Sequence, residues 1–265
     1  MSLSSILGAI AGFALLLGAI ALNTNNWMSF LSFSSFLMVF GGTVAAAYLS
    51  YQARYVNLAF IAIWHTFKKA KSTREGLNTE IMRLIKWAYV VQANGLVGLE
   101  NELKNTKLGD PLLQYMLLVV ASGHKAEDLR PMLETAAEAE FERNTVPVTV
   151  LKMMAGSAPA FGMIGTLVGL VIMLQGLGDD LSALGKGMAV ALLTTLYGVA
   201  FARLIFSPAA LKLQQKEEIH RFRNYLMVEG LIMLAEKRGP RYMQDRLNGF
   251  LDPAIHFDID KQIRR

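Results

Sequence analysis

The chain has 265 residues, of which 53% are apolar and 18% charged, with a formal net charge of +5. A soluble domain carries about 25% charged residues; here none occurs before Arg54, and residues 153–202 hold only Asp179, Asp180 and Lys186. This pattern excludes an ordinary cytosolic enzyme, a disordered chain and a compact secreted domain, and it makes an integral membrane protein the default.

A membrane span needs about 20 mostly apolar residues. The first window is residues 3–22, where Ile6, Leu7, Ile10 and Phe13 are interleaved with Gly8, Gly12 and Gly18. It lacks the basic start of a signal peptide, so it reads as a retained span. An uncharged turn with Asn23, Asn25 and Asn26 follows, and residues 30–51 form the second window. Residues 52–152 read as a helical cytoplasmic loop. Ile81, Leu84, Ile85 and Ala88 fall at helical spacing, and Asn94-Gly95 reads as a break or C-cap. The apolar run 112–121 is too short to span and reads as a buried helix of a cytoplasmic bundle. Leu129, Leu133, Ala136 and Ala137 form a packed stripe on an otherwise acidic helix that enters the third window.

That third window is residues 153–177. A short connection with Asp179 and Asp180 leads to the fourth, residues 184–206, which Pro208 is expected to end. The tail, residues 207–265, is amphipathic and helical, with Leu213, Ile219, Phe222, Leu226, Leu231 and Leu234 as its apolar positions and a break at Gly239-Pro240. The expected fold is therefore all-α, with four transmembrane helices and a helical cytoplasmic region. Of 26 Lys and Arg residues, 13 lie in residues 54–152 and 12 in residues 203–265. By the positive-inside rule both long stretches, and both termini, are cytoplasmic.

No catalytic constellation is present. There is no cysteine, hence no disulfide framework or thiolate metal site. His65, His124, His220 and His256 are scattered, and no P-loop, HExxH or GxSxG occurs. The chain does not read as an enzyme, and no cofactor is expected. The informative residues lie in the third and fourth windows. Gly162, Gly165 and Gly169 share one helical face, and small residues let helices approach closely in lipid. Pro159 frees the carbonyl near Ala155 within the membrane. Thr166, Thr194 and Thr195 place three hydroxyls at similar depth, which suggests a polar lining. No carboxylate lies inside any window, although ion movement usually needs an intramembrane ionisable group. If this chain lines an ion path, a partner must supply that group.

The stretches APAFGMIGTLVGL (residues 158–170) and MAVALLTTLYG (residues 188–198) closely resemble the flagellar motor stator A subunit, the MotA/PomA family, as do Gly41-Gly42-Thr43 and the Ser207-Pro208 exit. The wider family includes the ExbB and TolQ energisers, which have three spans. The resemblance implies a bacterial inner-membrane protein that forms a ring of five subunits around the helices of a MotB/PomB-like B subunit, which carries the membrane Asp. It implies an ion path along Pro159, Thr166, Thr195 and Pro208, with Thr194 beside them, coupled to H+ or Na+. It also implies that Glu100 meets a cytoplasmic FliG-like rotor protein. Two departures stand out. Residues 92–95 read Gln-Ala-Asn-Gly, where flagellar members carry a basic pair, and Gly156 stands where sodium-driven members carry Asp. Thr166, a hard oxygen donor, leans toward sodium, with Thr195 its companion ligand. The resemblance thus implies an ion-driven stator; the alternatives are an energiser of a non-flagellar envelope machine and a non-conducting scaffold.

Overall fold

The computed structural model describes residues 3–24, 26–66, 73–105, 109–176 and 181–260. Among these, all regular structure is helical. The chain divides into two compact units: Met1–Lys69 with Thr145–Gln215, and Ala70–Asn144 with Lys216–Arg265.

The first unit holds the apolar segments. Helix α1 (Leu3–Asn23) has 21 residues and no charge, so it rises about 32 Å at 1.5 Å per residue. A short 3-10 turn, Trp27–Phe30, leads to α2 (Phe33–Phe36), a π turn (Leu37–Gly41) and α3 (Gly42–Ser50). Ser32 caps α2, its side chain accepting from the Ser35 amide. Helix α4 (Ala53–Thr66) follows after Tyr51 turns extended. The later part of the 50-residue α7 (Ala126–Gln175) also belongs to this unit, with α8 (Leu181–Ala200), a second π turn (Phe201–Phe206) and the start of α9 (Ser207–Ala235). Among the described residues, three helical stretches, Trp27–Ser50, Ala126–Gln175 and Leu184–Ala235, are long and apolar enough to cross a membrane. Asp179 and Asp180 lie outside the described residues.

Pro208 does not end the fourth helix, contrary to expectation: α8, the π turn and α9 follow one another without a break. In a regular ladder the proline ring would strike the carbonyl four residues back. Here the turn before it is widened, and the Ser207 amide donates to the Ala202 carbonyl, five residues back. The loosened turn accommodates the proline without breaking the helix. Helix α7 likewise runs past Pro147 and Pro159.

The second unit has a conventional core. It combines α5 (Thr73–Asn105), α6 (Pro111–Ala121), the first part of α7, most of α9 and α10 (Pro240–Asn248). Ile81, Leu84 and Ala88 of α5 join Leu113, Met116 and Leu117 of α6, Leu129 and Leu133 of α7, and Leu226, Leu231 and Leu234 of α9. Helix α5 breaks at Gly95, whose φ of 67° lies in the left-handed region that favours glycine. Asp110 caps α6, its Oδ1 accepting from the Leu112 and Leu113 amides. Phe222 departs from the expected stripe and is exposed, while Val228 is buried.

Candidate functional site

The contact between α7 and α8 is made largely of backbone. A Cβ placed on Gly169 would meet the Gly187 carbonyl oxygen at 2.6 Å, and one on Gly187 would meet the Gly169 carbonyl oxygen at 2.7 Å. A Cβ on Gly162 would meet the Thr194 carbonyl oxygen at 3.0 Å, and one on Gly198 the Ala158 carbonyl oxygen at 2.7 Å. At Gly165 it would collide with the Thr194 side chain. The glycines of the two helices thus interlock along one seam, and the obstacles are mostly main-chain atoms that cannot swing away. Gly42 of α3 makes a comparable approach to the Phe161 ring.

The three hydroxyls occupy different environments. Thr194 is fully buried in the seam, and its Oγ1 donates to the Val190 and Ala191 carbonyls at 2.9 and 3.0 Å. It packs the hairpin and faces no open surface of this chain. Thr195 points to the exposed side and donates to the Ala191 carbonyl at 3.2 Å. Thr166 is half-buried and donates to the Met163 carbonyl at 2.7 Å. Each hydroxyl spends its single proton on its own helix. The outward lone pairs of Thr166 and Thr195 remain as acceptors, which suits a cation, a hydronium or a water. Pro159 is half-buried, with the Gly198 backbone beside it. Gly156 is exposed. Pro208 lies in the first turn of α9. Among the described residues, no group of three or more His, Asp or Glu is placed to hold a metal ion.

Tyr197 carries no signal in the sequence beyond its place in the fourth-window motif. Its hydroxyl donates to the Phe30 carbonyl and accepts from the Ser32 amide at 3.0 Å. It thereby satisfies two backbone groups where the chain enters α2. Next to it, Phe201 packs against Phe36, Phe40 and Phe206, with ring centroids 5.6–6.3 Å apart. Both π turns contribute rings to this cluster. Sequence spacing gave no signal for the tyrosine, because its partners lie 165 and 167 residues away.

In the second unit, Glu100 is half-buried on α5 beyond the Gly95 break. Gln92, Ala93 and Asn94 are exposed before it. Arg223 is the hub of a charge cluster. Its Nη2 donates to Glu80 at 2.8 Å and its Nη1 to Asp110. Burial alone would raise the Asp110 carboxyl, but hydrogen bonds from Arg223 and from the Leu113 and Leu112 amides outweigh it and hold the group below its ordinary value. Asn224 is buried and donates to Glu140 at 2.7 Å. His124, His220 and His256 are exposed, and the His65 side chain lies outside the described residues.

Comparison with known proteins gives a consistent result. The profile of the MotA/TolQ/ExbB proton channel family matches residues 101–224. The protein YtxD of Bacillus subtilis is 35% identical over 84% of this chain and 80% of its own length. Motility protein A of Borreliella burgdorferi is 31% identical over 99% of both chains. The fold matches a chain of the C. jejuni MotAB structure with a TM-score of 0.82, covering 96% of this chain and 97% of that one at 23% identity.

Proposed function

The chain belongs to the MotA/TolQ/ExbB proton channel family, and on that premise we propose that it is the ring-forming subunit of an ion-driven stator for the bacterial flagellum. The observation that carries this reading is a pairing of presence and absence. The α7–α8 hairpin holds Thr195 on an open face, yet no acid occurs in residues 3–51, 153–178 or 181–206. Hydroxyl lone pairs can pass a cation but cannot store or release a proton at neutral pH. A single-span B subunit supplies the carboxylate in this reading, and five copies of the present chain surround it. In this reading α1 is a fourth span beside the three long apolar stretches, both termini are cytoplasmic, and Lys152 and Arg203 lie at the inner face.

Each ion that falls through 100 mV releases about 2.3 kcal/mol. In the proposed cycle, neutralisation of the partner carboxylate changes its fit against the faces that carry Thr166 and Thr195. The interlocked α7–α8 hairpin then moves as one body, and the ring steps. Glu100 and the second unit pass the torque to a rotor. The uncharged residues 92–95 favour a second reading, in which the same engine drives a different envelope machine.

Thr195→Ala tests the ion path. Co-expressed with its B subunit, this variant is expected to assemble normally and to lose most ion-dependent rotation. Lost assembly with no separate defect in rotation would reassign Thr195 to packing. Replacing sodium by potassium at constant pH decides the ion; undiminished speed would identify the proton.

A further inference from the structure

Adjacent residues of α7 meet different neighbours. Phe161 turns toward α3: a Cβ placed on Gly42 would collide with the ring at Cδ1 and would meet Cε1 at 2.6 Å and Cγ at 2.9 Å. Gly162 turns toward α8, where a Cβ would meet the Thr194 carbonyl oxygen at 3.0 Å and the Thr195 Cα at 3.4 Å. One turn further along α8, a Cβ on Gly198 would meet the Pro159 and Gly162 Cα atoms, each at 3.2 Å. A single turn of α7 is thus wedged between the backbone of α3 and the backbone that carries Thr195. Close contacts in series are the physical form that coupling between two places takes.

The α3 side of this wedge is itself pinned. The segment that leads to α3 is tied to α8 by the Tyr197 hydroxyl at Phe30 and Ser32, and the Phe40 ring packs on Phe201 at 5.6 Å. Thr43, next to Gly42, is fully buried and donates its Oγ1 to the Val39 carbonyl at 2.6 Å. The π turn Leu37–Gly41 ends immediately before Gly42. The other π turn is accounted for by Pro208, but no proline occurs in residues 37–50. Such turns inside α-helices recur at functional sites, and this one stands where the Phe161 ring enters.

We infer that Phe161 is a positioning residue for the ion path: its ring, seated on Gly42, sets how closely Gly162 presses the Thr195 backbone, and so where the Thr195 hydroxyl stands. This role rests on the stator reading above, in which Thr195 lines that path. It gives α3 a part in ion affinity without contact with the ion. A misplacement of about 1 Å at a working group can cost on the order of 100-fold, so a displacement of roughly 0.3 Å corresponds to about fourfold.

A size exchange across the contact tests this role. Each variant is co-expressed with its B subunit, and rotation speed is titrated against the coupling ion, with sodium varied at fixed pH and pH varied at fixed sodium. Phe161→Leu empties the contact and Gly42→Ala overfills it. Each single substitution should raise the half-saturating ion concentration at least about threefold, with maximal speed and subunit yield kept. In the double variant the added methyl fills the volume that the ring leaves, so half-saturation should return to within about 1.5-fold of the unmodified chain. A contact that serves packing alone would lower yield and Tm and leave half-saturation where it was. Three results overturn the inference: unchanged half-saturation in Phe161→Leu at normal yield, single effects that add rather than cancel in the double variant, or changes confined to yield and Tm. If Gly42→Ala does not assemble, the double variant must still assemble and titrate like the unmodified chain, and its failure to do so counts equally against the role. Absence of ion-dependent rotation in the unmodified chain overturns the stator reading and this role with it; a normal titration there with a failed exchange removes the role of Phe161 alone.

Discussion

The α7–α8 hairpin and the second unit are both all-helical, yet they are held together by opposite means. The hairpin closes by bringing main chain against main chain at Gly162, Gly169, Gly187 and Gly198. The second unit closes on Leu, Ile and Met side chains, and the ion pairs described here all lie in it. The difference follows from the surrounding solvent. Lipid tails are as apolar as leucine, so burying a side chain between helices gains little there, and close van der Waals packing must supply the attraction. Water supplies the hydrophobic effect to the second unit, and it keeps the charges at that unit's surface inexpensive. The seam is therefore held mainly by main-chain contacts that cannot swing away, whereas the core tolerates adjustment.

Gly169→Val challenges that contrast most severely. The new side chain would press on the Gly187 carbonyl and the Ala191 amide, both backbone, so complete loss of the assembled protein is expected in detergent extracts. Normal yield would show that the seam can open. Gly230→Ala is the matched change in the second unit. Its Cβ meets the Leu84 side chain, at Cδ1, Cδ2 and Cγ, rather than main chain, so overpacking should cost about 1–3 kcal/mol and lower Tm without loss of assembly. Arg223→Leu should cost about 2–3 kcal/mol. That is less than the roughly 3–5 kcal/mol for breaking a fully buried pair, because the side chain is 19% exposed. Its signature is a denaturation midpoint lowered with the fold retained. Tyr197→Phe removes one hydroxyl and should cost about 1–2 kcal/mol, read as a lower thermal midpoint of the membrane unit.

The smallest effect is one of pH. Asp110 is held below its ordinary value of 3.8 in the folded state. A depressed carboxyl contributes stability that is present above the unfolded value and lost as pH falls through the folded one. The gain should thus persist at neutral pH and fade only below about pH 4. Asp110→Asn should flatten that acid limb in a chemical denaturation series.

Much of the fold was legible because composition reports solvent. The charge-free start and the apolar windows fall on α1, on Trp27–Ser50 and on the apolar parts of α7 and of the α8–α9 run, and Asn94-Gly95 marked the break in α5. The run 112–121, too short to span, did become a buried helix of the second unit. Pro208 misled, since a missing amide predicts a stop, while one widened turn absorbs it. The glycine face of α7 could be seen from spacing alone. That Thr194 would be enclosed by that face, while Thr195 stays open, could not, because neighbouring hydroxyls on one helix look alike until the opposing helix is placed.

The sequence by itself determined which segments prefer lipid, where acids are absent and where the backbone must bend. Those properties are local sums over neighbouring residues. The tertiary structure alone decided which groups meet: Gly169 with Gly187, Tyr197 with the entrance to α2, and Arg223 with Glu80 and Asp110. Those pairings join residues from 18 to 167 positions apart, a distance over which neither period nor composition carries information. Only the packing of whole helices, driven by contact in lipid and by burial in water, fixes them.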